Sequence, residues 1–214
     1  MRGLPASRPS SDDQPADTAP SSGRLRRPPS PSRGEGRASS TPYDRVVVAI
    51  DPTASTGGAA CGLIAAASYR RADNTRCAVV LADRSIAGLG PDAWARRAVA
   101  LAAEFHASAI VAEVNQGGDM VRAVLKTAGA KLRIREVHAT RGKYIRAEPV
   151  AALYEQGRIH HAGAFDALEE ELMAFGGVME AAGSLDRADA LVWAITDLLI
   201  DAKDGERGPR VRWL

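Results

Sequence analysis

One hexapeptide constrains this chain more than any other feature. Arg45–Ile50 (RVVVAI) is a continuous β-branched run that leads straight into Asp51. An apolar run without alternation is typical of a strand buried inside a sheet. Two more such stretches follow, Cys61–Tyr69 and Arg76–Ala82 (RCAVVLA), with Gly57 and Gly58 marking the first turn. Three strands in succession with short connections predict an antiparallel meander. The pattern then changes to alternation. Pro91 opens a helix over Asp92–His106, with Trp94, Ala98, Leu101, Ala102 and Phe105 at helical spacing. Ser108–Ala112 reads as a buried strand, Asp119–Ala128 as a helix and Leu132–His138 as a further strand. Lys143–Gln156 is a helix carrying Pro149 and closed by Gly157. An edge at Arg158–His161 precedes two helices, Phe165–Phe175 and Asp186–Ile200. The predicted order βββαβαβαα is α/β: a mixed sheet, antiparallel in its first three strands and parallel after, flanked by helices.

The chain of 214 residues also carries ends of a different character. Residues 1–42 consist mainly of Pro, Ser, Gly, Arg and Asp. Such a segment buries too little apolar surface to offset its chain entropy and is expected to be a disordered tail. Residues 43–201 form the expected domain, and 202–214 a flexible end. With 45% hydrophobic and 25% charged residues, the composition is that of a soluble globular protein. The formal charge of +2 indicates neither a strongly basic nor an acidic class. Cys61 and Cys77 are too few for a disulfide framework and lack metal-ligand spacing. No stretch approaches the ~18 apolar residues of a membrane span, and the N-terminus lacks a signal-peptide core. These features point away from membrane and secreted proteins.

Acids stand where acids are least expected. Asp51 and Glu113 each end a predicted central strand, next to a buried interior. Carboxyl ends of central strands are where α/β sheets build their sites. A carboxylate there is costly unless paired, hydrogen-bonded or bound to a metal, although an Asp after a strand also serves as a turn former. Asp186 and Asp189 share one face of the last helix, three residues apart. Asp186 also suits the positive end of the helix dipole. Asp189 lies too far inside the helix for capping, and the apolar run Ala190–Trp193 follows it. Carboxylates converging from two strand ends and a helix suit hard divalent cations such as Mg²⁺ or Mn²⁺. Two ions so held catalyse in-line phosphodiester hydrolysis. His160 and His161 lack zinc-type spacing, and His106 falls on a predicted helix.

These segments resemble the nuclease domain of the large terminase subunit of tailed phages and phage-derived gene transfer agents. The resemblance is carried by VVVAIDPTAS with Asp51, AIVAEVNQGGDM with Glu113, RAEPVAALYEQGRIHH over Arg146–His161, and DRADALVWAI with Asp186 and Asp189. Four segments match in order, over roughly Tyr43 to Ile200. The resemblance implies an RNase H-like fold, shared with Holliday-junction resolvases, and a two-metal endonuclease that cuts concatemeric double-stranded DNA during genome packaging. It places Asp51, Glu113 and Asp189 among the catalytic, metal-binding acids, with Asp186 as a fourth candidate ligand. It also implies a bacterial cytoplasmic setting and, as partners, DNA, a terminase ATPase or small subunit and a portal protein. No GxxxxGK[ST] phosphate loop is present, since Gly142-Lys143 is followed by Tyr144; the chain is expected to lack the ATPase motor. Other readings are a junction resolvase of the same fold and a catalytically silent DNA-binding or portal-docking remnant.

For DNA contacts, Arg141, Lys143 and Arg146 cluster at a helix N-terminus, where backbone N–H groups favour anions. Asn115 and Gln116 follow Glu113 directly and would lie where a phosphate approaches. Trp94 and Trp193 are expected in the core.

Overall fold

The computed structural model describes residues 43–52, 60–115, 118–140, 142–175 and 185–202. The predicted tail at 1–42, most of the 202–214 end, the Gly57–Gly58 turn, Gln116 and Arg141 lie outside the described residues. Strands β1 (Arg45–Asp51), β2 (Ala60–Arg70) and β3 (Arg76–Asp83) form the expected antiparallel meander. A two-residue β4 (Ile86–Ala87) pairs with the start of β2 and is too short for a periodicity to register. Helix α1 (Pro91–Glu104), β5 (Ala109–Glu113), α2 (Gly118–Thr127), β6 (Arg133–Val137), α3 (Lys143–Glu155), β7 (Ile159–His161), α4 (Asp166–Phe175) and α5 (Asp186–Ile195) follow. The sheet order is β6-β5-β1-β2-β3-β7, with β5 parallel to β1, β6 parallel to β5 and β7 parallel to β3. The mixed sheet predicted from the pattern is therefore the sheet observed.

The run Val46–Ile50 lacks polar residues because both faces of β1 are covered. Val48 and Ile50 face one layer, with Trp94, Leu101, Val121 and Leu125 of α1 and α2. Val47 and Ala49 face the other, against Trp193 and Ala194 of α5. Further along that second face, Ile64 and Val80 meet Val150, Leu168 and Leu191 of α3, α4 and α5. Gly157 closes α3 at φ +63, a left-handed position that glycine takes without strain. Cys61 and Cys77 are buried free thiols. Among the described residues no helix is long and apolar enough to cross a membrane.

The single helix expected over Asp186–Ile200 is two pieces. After Ile195 the chain widens into a π-helical turn, Thr196–Ile200. Asp197, 1% exposed, is drawn there into ion pairs with Arg45 Nη2 of β1 at 2.8 Å and Arg135 Nη1 of β6 at 2.5 Å. A 3.6-residue apolar pattern carries no sign of such a widening. Removing one member of a buried ionic cluster strands the others' charge. Asp197→Ala is expected to lower stability by about 3 kcal/mol, measured by urea unfolding at neutral pH. A loss under about 0.5 kcal/mol would show that solvent already satisfies both arginines.

Candidate active site

Parallel pairing puts the ends of β1 and β5 side by side, with Ile50 in register with Ala112. Asp51 and Glu113, the last residues of these strands, therefore stand next to each other at one end of the sheet. Helix α5 crosses β1 and β2 with its N-terminus at the same end. Gly62 of β2 pairs with Asp51, and a Cβ on it would lie 1.9 Å from the backbone oxygen of Asp186. This close approach lowers the first turn of α5 onto the sheet. Asp186 and Asp189 thereby come into the field of Asp51, whose carboxyl feels both charges. The other three acids thus lie within electrostatic reach of Asp51 at this end of the sheet.

The N-terminus of α5 has no side-chain cap of its own, since Leu185 precedes it. Glu171 of α4 supplies one instead. Its Oε2 accepts the backbone N–H groups of Arg187 at 2.9 Å and Ala188 at 3.1 Å. The Arg187 side chain bonds Glu171 Oε1 at 3.0 Å through Nη1 and Asp83 Oδ2 of β3 at 3.1 Å through Nε. The helix start is thus fixed from α4 and β3, neither of which a local sequence reading connects with it.

Glu113 is held at both oxygens. Oε1 accepts from Asn115 Nδ2 and Oε2 from the Trp193 indole Nε1, each at 2.5 Å. Asn115 Oδ1 in turn accepts the backbone N–H of Ala139 at 2.6 Å, which ties the end of β5 to the chain beyond β6. Asn115, expected to meet DNA, here orients Glu113. Arg146 of α3 spans two of the acids: Nη1 lies 3.5 Å from Glu113 Oε2 and Nη2 3.5 Å from Asp189 Oδ1. Its guanidinium lies over the Trp193 ring, 4.6 Å from the centroid. Trp193 is in the core as expected, but its polar edge serves the site, a role the apolar pattern of α5 did not disclose.

Negative charge outweighs positive in this cluster. Burial, and then the charges of Glu113, Asp189 and Asp186, push the Asp51 carboxyl up to about 8, with Arg146 pulling the other way. Burial likewise pushes Asp189 up to about 6, against the opposing pull of Arg146 and Lys143. Burial and the charges of Asp51 and Asp186 raise the Cys61 thiol, which stays protonated and unsuited to nucleophilic work. As the side chains stand, no three His, Cys, Asp or Glu groups among the described residues are gathered to ligate one ion; Arg146 stands between two of the acids. The donor chemistry nevertheless fits a hard cation: every acid offers oxygen only, and burial together with three neighbouring carboxylates pushes the Asp51 carboxyl up. Asp51, Glu113, Asp189 and Asp186 would be the residues to hold one. His161 Nε2 meets the Tyr154 hydroxyl at 2.7 Å and Nδ1 meets Glu169 Oε1 at 3.4 Å, a brace between α3, β7 and α4.

The meander, its parallel extensions and the acids at one sheet end define an RNase H-like fold. Residues 48–198 match the terminase RNase H-like domain family, and the chain belongs to that family. Among solved structures it is similar to the nuclease domain of the large terminase subunit gp2 of bacterial virus Sf6. That match has 16% identity and a TM-score of 0.53, covering 72% of this chain and 89% of that one. It is also similar to the large terminase nuclease from thermophilic phage G20c with bound magnesium. There the identity is 18% and the TM-score 0.51, covering 71% of this chain and 80% of that one. Sequence comparison with curated proteins gives no match.

Proposed function

We propose that this chain is a divalent-metal-dependent DNA endonuclease of the terminase large-subunit type, cutting concatemeric double-stranded DNA during genome packaging. One observation carries the reading: acids from two neighbouring strand ends and one helix, Asp51, Glu113, Asp186 and Asp189, lie in one another's field at one end of the sheet. Crowding of this kind is characteristic of sites built for a task rather than for stability. Family membership and the similar structures with bound magnesium or with manganese support it.

In this mechanism Asp51 is central, and Glu113, Asp189 and Asp186 surround it as the remaining candidate ligands. Two Mg²⁺ or Mn²⁺ ions bound there would supply an activated water and charge stabilisation for the leaving 3′-oxygen. The chain's own contribution is placement. Asn115 and Trp193 fix Glu113, Glu171 and Arg187 fix the start of α5, and Gly62 lets that helix approach. Lys143 at the start of α3, with Arg141 two positions before it in the sequence, would supply cations for the DNA phosphates, contacts that position a duplex without reading its sequence, whereas Arg146 is engaged by Glu113 and Asp189. Products would carry 5′-phosphate and 3′-hydroxyl ends. ATP-driven translocation would be the work of a terminase ATPase acting with a portal in the bacterial cytoplasm.

The test compares linear concatemeric duplex with a four-way junction, each incubated with Mg²⁺, Mn²⁺ or EDTA. Cutting of the linear duplex in either metal, blocked by EDTA, is expected. Cutting confined to the junction would make the chain a resolvase, and binding without cutting would make it a docking module.

A further inference from the structure

Trp193 stands one turn beyond Asp189 on α5, with its ring in the core and its indole edge at the acids. Its environment contrasts with that of Trp94, which is fully buried on the opposite face of the sheet. The Trp94 indole N–H finds no hydrogen-bond partner among the described residues. In this fold, then, a tryptophan can fill the core without polar duties. Trp193 has two. Its Nε1–H donates to Glu113 Oε2 at 2.5 Å, and its ring face carries the Arg146 guanidinium. The Arg146 Nε is itself buried without a hydrogen-bond partner among the described residues. That guanidinium therefore relies on the ring and on the two acids for its position. Because Asn115 takes the other Glu113 oxygen, the plane of the Glu113 carboxylate is fixed from both sides.

On the metal-centre reading given above, we propose that Trp193 is a positioning residue for Glu113: its indole N–H sets the orientation in which Glu113 meets a divalent ion. Groups that orient a ligand from outside the coordination sphere are typically worth about 10–100-fold in metal affinity. Phenylalanine at this position keeps a ring face for Arg146 and most of the packing, and removes only the donor edge.

Mn²⁺ binding by titration calorimetry on wild-type, Trp193→Phe and Trp94→Phe proteins tests this, each below its melting temperature. Trp193→Phe is expected to bind Mn²⁺ about tenfold or more weakly. Trp94→Phe, which loses a comparable ring volume but no hydrogen bond, is expected to stay within about twofold. A second readout needs no loss of structure. In ¹⁵N-labelled wild-type protein, the indole cross-peak absent from Trp193→Phe should shift during a Mg²⁺ titration and should move in Glu113→Ala. Unchanged Mn²⁺ affinity in Trp193→Phe, or an indole peak indifferent to Mg²⁺ in protein that binds it, overturns the positioning role alone. Wild-type protein that binds neither ion overturns the metal centre and the positioning role together.

Discussion

Alanine at position 62 is expected to abolish metal-dependent cleavage and to cost the protein at least about 3 kcal/mol, at or beyond the upper end of ordinary overpacking. The added Cβ would stand 1.9 Å from the Asp186 backbone oxygen, 2.6 Å from its carbonyl carbon and 2.9 Å from the Ala190 Cβ. None of these atoms belongs to a flexible side chain, so relief requires α5 to rise from the sheet. That movement would carry Asp186 and Asp189 away from Asp51 and loosen the contacts that Glu171 makes with the helix start. Thermal unfolding and plasmid cleavage read the two consequences. A Gly62→Ala protein with wild-type melting temperature and activity would show that α5 is not held against β2 in this way.

Asp51→Asn should have opposite effects on activity and on stability. Cleavage should fall by on the order of 10²–10³-fold or more, because the group at the centre of the acids loses its charge. Stability in EDTA should rise at alkaline pH. The folded protein keeps the Asp51 proton up to about 8, whereas the unfolded chain releases it near the ordinary value of 3.8. Stability from this group is therefore full below about pH 4 and lost as pH climbs toward 8, at up to about 1.4 kcal/mol per pH unit. Asparagine has no proton to lose. The variant and the wild type should melt close together at pH 4, and the variant should melt higher at pH 8. Mg²⁺ should then stabilise the wild type by binding its folded state, and leave Asp51→Asn nearly unchanged. A variant less stable than wild type at pH 8 without metal would show that Asp51 is not crowded by its neighbours.

The elements that were legible in the sequence share a physical cause: their signal is local. The β-branched run of β1 and the apolar spacing of α1 are set by each segment's own burial. Asp51 and Glu113 were recognisable because an acid at the end of a buried run conflicts with its surroundings, and such conflicts mark sites. Features that depend on a distant partner were not legible. Glu171 caps a helix that begins 15 positions later, from a different element. The Asp197 ion pairs reach back to Arg45 at the other end of the chain, and with them comes the π-turn. Arg146 was read as a phosphate contact, and its position between Glu113 and Asp189 depends on how α3 packs against α5. Two further local signals point to the site. Gly62 is an isolated glycine in a strand, a known mark of close backbone approach. Trp193 lies four residues from Asp189, on the same side of the helix as an acid already singled out.

The most direct measurement is plasmid cleavage by wild-type and Asp51→Asn proteins in Mg²⁺, in Mn²⁺ and in EDTA, with both proteins shown to be folded. Wild-type protein should cut in either metal and not in EDTA, and Asp51→Asn should cut in none of the three. Cleavage by wild type that persists in EDTA, or metal-dependent cleavage undiminished in Asp51→Asn, would contradict a metal centre built on Asp51.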